Sequence, residues 1–270
     1  MDSFSSNPIG VYDSGVGGLS VLAAIRSLLP HEDLIYVADS GHMPYGQKSP
    51  EYVKERALKI TDYFLNQNAK AVAIPCNTAT AAAIKALRER YPQTPFIGIE
   101  PAIKPAARMT KSGVIGVLAT TGTLLSQTFN ELVKREAPNT KVLLKPCPGW
   151  VDLVESGKLS GPEVEEIVSE PLADLLKNDA DVLVLGCTHF PFLLGAIRNF
   201  VGGELPVLET GLPFARQLHF QLDKRDLLNQ GTAKGYFKML TSGDPVWVQA
   251  LTGDLLKSAV AVQKLPAAVC

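Results

Sequence analysis

Short, mainly apolar runs alternate along this chain with longer amphipathic segments, and small polar turns separate the two. The runs are IGVY (9–12), LIYVA (34–38), AVAI (71–74), FIGI (96–99), VIGVLA (114–119), KVLLK (141–145), VLVL (182–185) and PVL (206–208). Helical periodicity covers 19–29, 50–66, 78–90, 124–135, 163–176, 192–200 and 214–222. The first helix closes before Pro30, and the second opens with Ser49 as cap and Pro50 in its first position. Alternation of strand and helix predicts βαβ units and a parallel sheet. Strands that are apolar throughout, rather than at every second position, predict a sheet covered on both faces. The fold class is therefore α/β and doubly wound.

The pattern also repeats. IGVYDSGVGGLS (9–20) resembles VIGVLATTGTLLS (114–126), and AVAIPCNTAT (71–80) resembles VLVLGCTHFP (182–191). Ile9 and Ile115 lie 106 positions apart, Cys76 and Cys187 111 apart, so a short insertion reconciles the two alignments. Each half reads strand, polar turn, helix, then strand, cysteine, helix. The expectation is two similar parallel-sheet domains facing each other across an active-site cleft. Ligands of open parallel sheets sit beyond the carboxyl ends of the strands, where all four polar turns fall.

Composition narrows the possible functions. The chain has 270 residues, 46% hydrophobic and 20% charged, with a net charge of −1, which is ordinary globular usage. No Lys/Arg block marks a nucleic-acid partner. No apolar run is long enough to span a membrane. MDSFSSNPIGVY lacks a basic start and apolar core, so the expected location is the cytoplasm. Cys76, Cys147, Cys187 and Cys270 form no CxxC pair, which argues against a metal cage. Cys147 and Cys270 read as packing residues.

Cys76 and Cys187 differ from those two because each ends an apolar strand. Two bases on opposite faces of one carbon can invert it: a thiolate removes the proton and the opposite thiol returns one. A free cysteine has a pKa of about 8.5 and can serve as acid and base. Each thiol then needs a tuning partner. His189, two residues past Cys187, can orient or exchange protons with that thiol. Asp13 can do the same for Cys76 if the first strand lies beside the strand carrying Cys76. The plainer alternatives are a hydrogen-bonded loop histidine and a turn or helix-cap aspartate.

Taken together, VYDSGVGGLSVL (11–22), YVADSGHMPYGQKS (36–49), IPCNTATA (74–81), GVLATTGT (116–123) and LGCTHFP (185–191) resemble the glutamate racemase family. PGWVDLVESG (148–157) and FKMLTSGDP (237–245) support the match, which runs in order along nearly the whole chain. The resemblance implies a two-domain fold with a discontinuous first domain, residues 1–98 plus 209–270, and a second domain at 99–208. It implies Cys76 and Cys187 as acid/base thiols, Cys76 acting on D-glutamate and Cys187 on L-glutamate, assisted by Asp13 and His189. It places Asp13, Ser14, Tyr45, Gly46, Asn77, Thr78, Thr188 and His189 on the substrate, and Thr120 joins them as the repeat counterpart of Ser14. Glu155 matches a helper acid on the Cys187 side. The family works without a cofactor, supplies D-glutamate for the peptidoglycan wall, and often forms homodimers. LETG (208–211) departs from its pattern, with Glu209 where an Asp is usual.

Three rivals remain at this level. Aspartate racemases use the same paired-cysteine logic. GVGGLS at a strand–helix turn suggests phosphate binding, although Asp13 would repel the phosphate and the full GxGxxG pattern is missing. A non-catalytic amino-acid-binding protein would carry the same cysteines as inert filler.

Overall fold

All eight apolar runs form strands. The computed structural model describes residues 4–270. Residues 1–3, the start of the first expected domain and of the N-terminal segment discussed above, lie outside the described residues. In chain order the elements are β1 (Ile9–Asp13), α1 (Leu19–Leu28), β2 (Leu34–Ala38), α2 (Pro50–Asn66), β3 (Ala71–Ile74), α3 (Asn77–Arg90) and β4 (Phe96–Gly98). There follow α4 (Ile103–Met109), β5 (Val114–Ala119), α5 (Thr121–Leu124), α6 (Gln127–Glu136), β6 (Lys141–Pro146), α7 (Trp150–Glu155), α8 (Pro162–Lys177) and β7 (Val182–Leu185). Last come α9 (Leu194–Val201), β8 (Val207–Leu208), α10 (Gly211–Asp223), β9 (Phe237–Thr241), α11 (Pro245–Leu256) and β10 (Val262–Lys264).

The strands form two sheets, parallel throughout, in the orders β10-β9-β2-β1-β3-β4 and β6-β5-β7-β8. The segments β2-β1-β3-β4 and β6-β5-β7-β8 share one topology. Their register agrees as well: Ile9 pairs with Ala71, and Ile115 with Val182. Each cysteine lies five positions beyond the residue paired with the repeat isoleucine. The sequence repeat is thus matched by a repeat of sheet order and register.

Continuous apolar strands feed two cores at once, because successive side chains leave a strand on opposite faces. Ile9, Val11, Ala71 and Ala73 join the core between the two sheets, together with Leu118, Leu183 and Leu185 of the second sheet. Tyr12, Val72 and Ile74 pack outward against α2 and α3. Ile115, Val117, Val182 and Val184 pack outward against α4 and α6. Burial on both faces fails at β6, an edge strand whose Lys141, Leu144 and Pro146 are exposed.

Several boundaries differ from the periodicity. The expected helix over 124–135 is two helices, because Thr120 Oγ1 accepts from Thr123 N and Ser126 Oγ accepts from Phe129 N, each hydroxyl starting its own helix. The segment at 192–200 begins as a 3-10 turn (Phe190–Leu193) before α9. β9 and β10 were not predicted as strands; they carry Lys238, Gln263 and Lys264 within short runs.

A buried ion pair ties the C-terminal segment to the first sheet. Lys70 Nζ lies 2.5 Å from Glu32 Oε2 with both side chains almost wholly buried, and it also donates to Ser5 O. Glu32 Oε1 accepts from Asn229 N at 2.8 Å, on the loop leading to β9. Removing one partner of a buried pair leaves an uncompensated charge and costs about 3–5 kcal/mol. Lys70→Met should therefore lose about that much in urea unfolding. Adding Glu32→Gln, which keeps an acceptor for Asn229, should recover part of it. A single variant of near wild-type stability would contradict the assignment.

Candidate active site

The carboxyl ends of β1 and β3 face those of β5 and β7, and the turns that follow them enclose a small cavity. Cys76 and Cys187 both line it, one from each sheet, and both are buried. Ser14, Tyr45 and Gly46 line it from the first sheet's side, with Asn77 and Thr78 at the start of α3. Thr120, Thr188 and His189 line it from the second. Pro44 and Val151 complete the wall and were not expected from the sequence. The free space is about 20 Å³, room for about one water. Cys147 and Cys270 lie outside it, their thiols donating to Lys145 O and Leu265 O.

Cys76 caps α3. Its Sγ accepts from Ala79 N at 3.5 Å and lies 3.8 Å from Ser14 Oγ. β1 does lie beside β3, as the pairing with Asp13 required, but Asp13 makes no direct bond to the thiol. Its Oδ1 accepts from Ser14 Oγ at 3.0 Å and Gly15 N at 3.1 Å, and its Oδ2 from Thr188 Oγ1 at 2.7 Å. Asp13 thus stands behind Ser14 and Thr188, fully buried, rather than in the cavity wall. Burial raises its carboxyl above the ordinary range, and the neighbouring His189 and hydroxyl donors oppose that rise. Burial, helped by the Asp13 charge, pushes the Cys76 thiol well above its usual value.

The other thiol has a different neighbourhood. Cys187 Sγ lies 3.7 Å from His189 Nδ1, and His189 Nε2 is 2.8 Å from Glu155 Oε1. Burial alone lowers an imidazole's pKa, but the hydrogen bonds to Cys187 and Glu155 outweigh it and raise His189 well above its ordinary value. Glu155 is thus in contact with His189 and lies behind it, outside the cavity wall.

The glycine turn after β1 serves this contact. Val16 N donates to Glu155 Oε1 at 2.8 Å. A Cβ on Gly15 would fall 1.9 Å from Glu155 Oε1, and one on Gly17 2.3 Å from His189 Nδ1. The turn is glycine-rich because two side chains from the second sheet's side occupy the space a Cβ would need. A phosphate has no place there, which removes the basis of the phosphate-binding rival.

Tyr45 is held from behind. Its hydroxyl donates to Asp39 Oδ2 at 2.5 Å, and Arg56 forks onto both Asp39 oxygens at 2.9 and 2.8 Å. Neither Asp39 nor Arg56 was singled out in the sequence, although Asp39 lies inside the YVADSG stretch. On the facing side, Thr78, Thr120 and Thr123 bond one another through their hydroxyls at 3.0–3.2 Å. Glu209 follows β8 and borders a separate cavity of about 150 Å³ on the far side of Cys187 and Thr188.

Residues 18–217 match the profile of the Asp/Glu/hydantoin racemase family. A glutamate racemase of Ectopseudomonas mendocina is 50% identical over 252 residues, covering 93% of this chain and 95% of its own. The crystal structure of glutamate racemase from Francisella tularensis in complex with D-glutamate superposes with a TM-score of 0.86 at 28% identity, covering 98% of both chains. That of the Escherichia coli enzyme with L-glutamate and the activator UDP-MurNAc-ala gives 0.83 at 30% identity, covering 96% of this chain and 98% of the other. Two parallel-sheet units closing on one cavity, and relatedness along nearly the whole chain, place this protein in the Asp/Glu/hydantoin racemase family, among its glutamate racemases.

Proposed function

We propose that this enzyme interconverts L-glutamate and D-glutamate by proton transfer at Cα, with Cys76 and Cys187 as the two acid/base groups and no cofactor. One observation carries the reading: a buried cysteine from each sheet lines the same cavity. Cys187 takes the α-proton of the L-enantiomer while Cys76 delivers one to the opposite face, and the roles reverse for the D-enantiomer. The raised pKa of Cys76 favours the protonated thiol there, and a protonated His189 beside Cys187 supplies the complementary charge on the other side.

The substrate's carboxylates need donors. Ser14, Thr78, Thr120 and Thr188 offer hydroxyls, and the first turn of α3 offers backbone N–H groups. Both ends of the Asn77 amide are buried without a hydrogen-bond partner, which suits a residue whose partner is the substrate. Tyr45 and Gly46 also line the wall, His189 acts on Cys187 and borders the substrate, and Asp13 acts from one layer back through Ser14 and Thr188. A cavity with room for one water is the shut form, so glutamate enters by separation of the two units and reacts once they close and exclude water. The same reading assigns residues 1–98 plus 209–270 to one domain, in keeping with β9 and β10 joining the first sheet, and 99–208 to the other. It makes the enzyme a cytoplasmic homodimer that supplies D-glutamate for peptidoglycan; among the described residues no helix is long and apolar enough to cross a membrane.

Circular dichroism of purified protein with either glutamate enantiomer, without added cofactor, tests the proposal. The ellipticity should decay to zero from both sides, and Cys76→Ala or Cys187→Ala should abolish the decay. Activity on aspartate alone would transfer the mechanism to the aspartate rival. Inert wild type would return the cysteines to packing.

The raised Cys76 pKa gives a second test. A free cysteine, with a pKa of about 8.5, reaches its maximal alkylation rate by about pH 9.5. Iodoacetamide labelling of Cys76 without substrate, followed by peptide mass, should be slow at neutral pH and still rising above that point. A plateau near the free-cysteine value would contradict the buried environment described for this thiol.

A further inference from the structure

The last carbonyls of a helix have no partner inside it. In α7, three of them are satisfied by the chain that follows: Asp152 O accepts from Ser156 N, Val154 O from Gly157 N and Leu153 O from Lys158 N, at 2.9–3.0 Å. The next, Glu155 O, is satisfied from a distant part of the chain. Trp247 Nε1–H donates to it at 3.2 Å. Trp247 lies in the first turn of α11, which follows β9 of the first sheet and is capped by Asp244 accepting from Val246 N at 2.9 Å. Its ring is 50% exposed, so the indole body meets solvent while its only polar atom is committed to Glu155. Leu251, one helical turn further along, approaches Gly157 just beyond α7.

We propose that Trp247 is a positioning residue for the Cys187 half of the reaction, acting through Glu155; this rests on the two-thiol reading above. Glu155 is held at both ends. Its carbonyl is fixed by Trp247, and its Oε1 accepts from His189 Nε2 and Val16 N at 2.8 Å each. α7 is only six residues long, so its own ladder constrains its last residue weakly. Anchoring the Glu155 backbone sets where the carboxylate stands, and with it the His189 ring beside Cys187. The polar neighbours of Cys76, Ser14 and Ala79, make no bond to α11 or to Glu155, and the turn that carries Ser14 bonds Glu155 only through the backbone N–H of Val16. The effect of losing Trp247 therefore falls mainly on the Cys187 side, where the Glu155 carboxylate holds the His189 ring itself.

Trp247→Phe keeps a ring and removes the donor. The net contribution of one hydrogen bond predicts a fall in kcat/KM of about three- to tenfold. The fall is equal in both directions, because both pass through the same transition states. Isotope effects reveal which thiol is affected. With α-deuterated L-glutamate the primary isotope effect on kcat/KM should rise, because proton removal by Cys187 becomes more rate-limiting. With α-deuterated D-glutamate it should fall. General loosening of the fold would move both effects together or neither, and that result overturns the proposal. So does a variant whose kcat/KM stays within twofold of wild type. A wild type that racemises neither glutamate nor aspartate overturns the two-thiol reading itself, and is seen before any variant is compared.

Discussion

A single carboxylate oxygen joins the two halves of this molecule at the point where their chemistry meets. Glu155 Oε1 accepts at once from His189 Nε2 on its own side and from Val16 N of the glycine turn on the other. The turn approaches this closely only because Gly15 and Gly17 lack a Cβ. Thr188 Oγ1 donating to Asp13, and Ser20 Oγ donating to Thr188 O at 2.8 Å, close the same seam. The two buried thiols share one cavity because this seam is shut.

The two halves share sheet order and register but differ in chemistry. Thr120 occupies the repeat position of Ser14, and Ala119 that of Asp13. Thr78, bonded to Thr120 and Thr123, stands where the second half has His189 bonded to Glu155. One thiol therefore has a carboxylate behind a serine, and the other a carboxylate behind an imidazole. A duplicated frame supplies opposed positions for two thiols, and divergence at a few positions gives each thiol its own charge environment.

Much of this was legible in the sequence, for identifiable reasons. Strands buried on both faces are apolar at every position, which made most of the eight runs visible as strands, while the less buried edge strands β6 and β8 were visible only from short apolar centres. β9 and β10 were not, because lysine and glutamine interrupt them; α4 and α11 contain Pro105 and Gly253, and α7 is only six residues long. The cysteines were legible because each follows a strand directly. The expected wall residues do line the cavity, with Asp13 set one layer back. What no local pattern encodes is contact across distance. Val16 and Glu155 are 139 positions apart, and Trp247 and Glu155 are 92 apart. The glycine turn alone suggested a phosphate; only the folded chain shows a carboxylate and an imidazole filling it.

The most direct test of the central claim, that two thiols act on opposite faces of one carbon, is deuterium placement at Cα. Each glutamate enantiomer is incubated separately in D₂O, quenched early, and both enantiomers are recovered and analysed by mass. A thiol carries one proton, so the opposed pair predicts that the product enantiomer holds solvent deuterium while the remaining substrate holds almost none. Equal labelling of substrate and product at early times would mean that one base serves both faces, and would contradict the account.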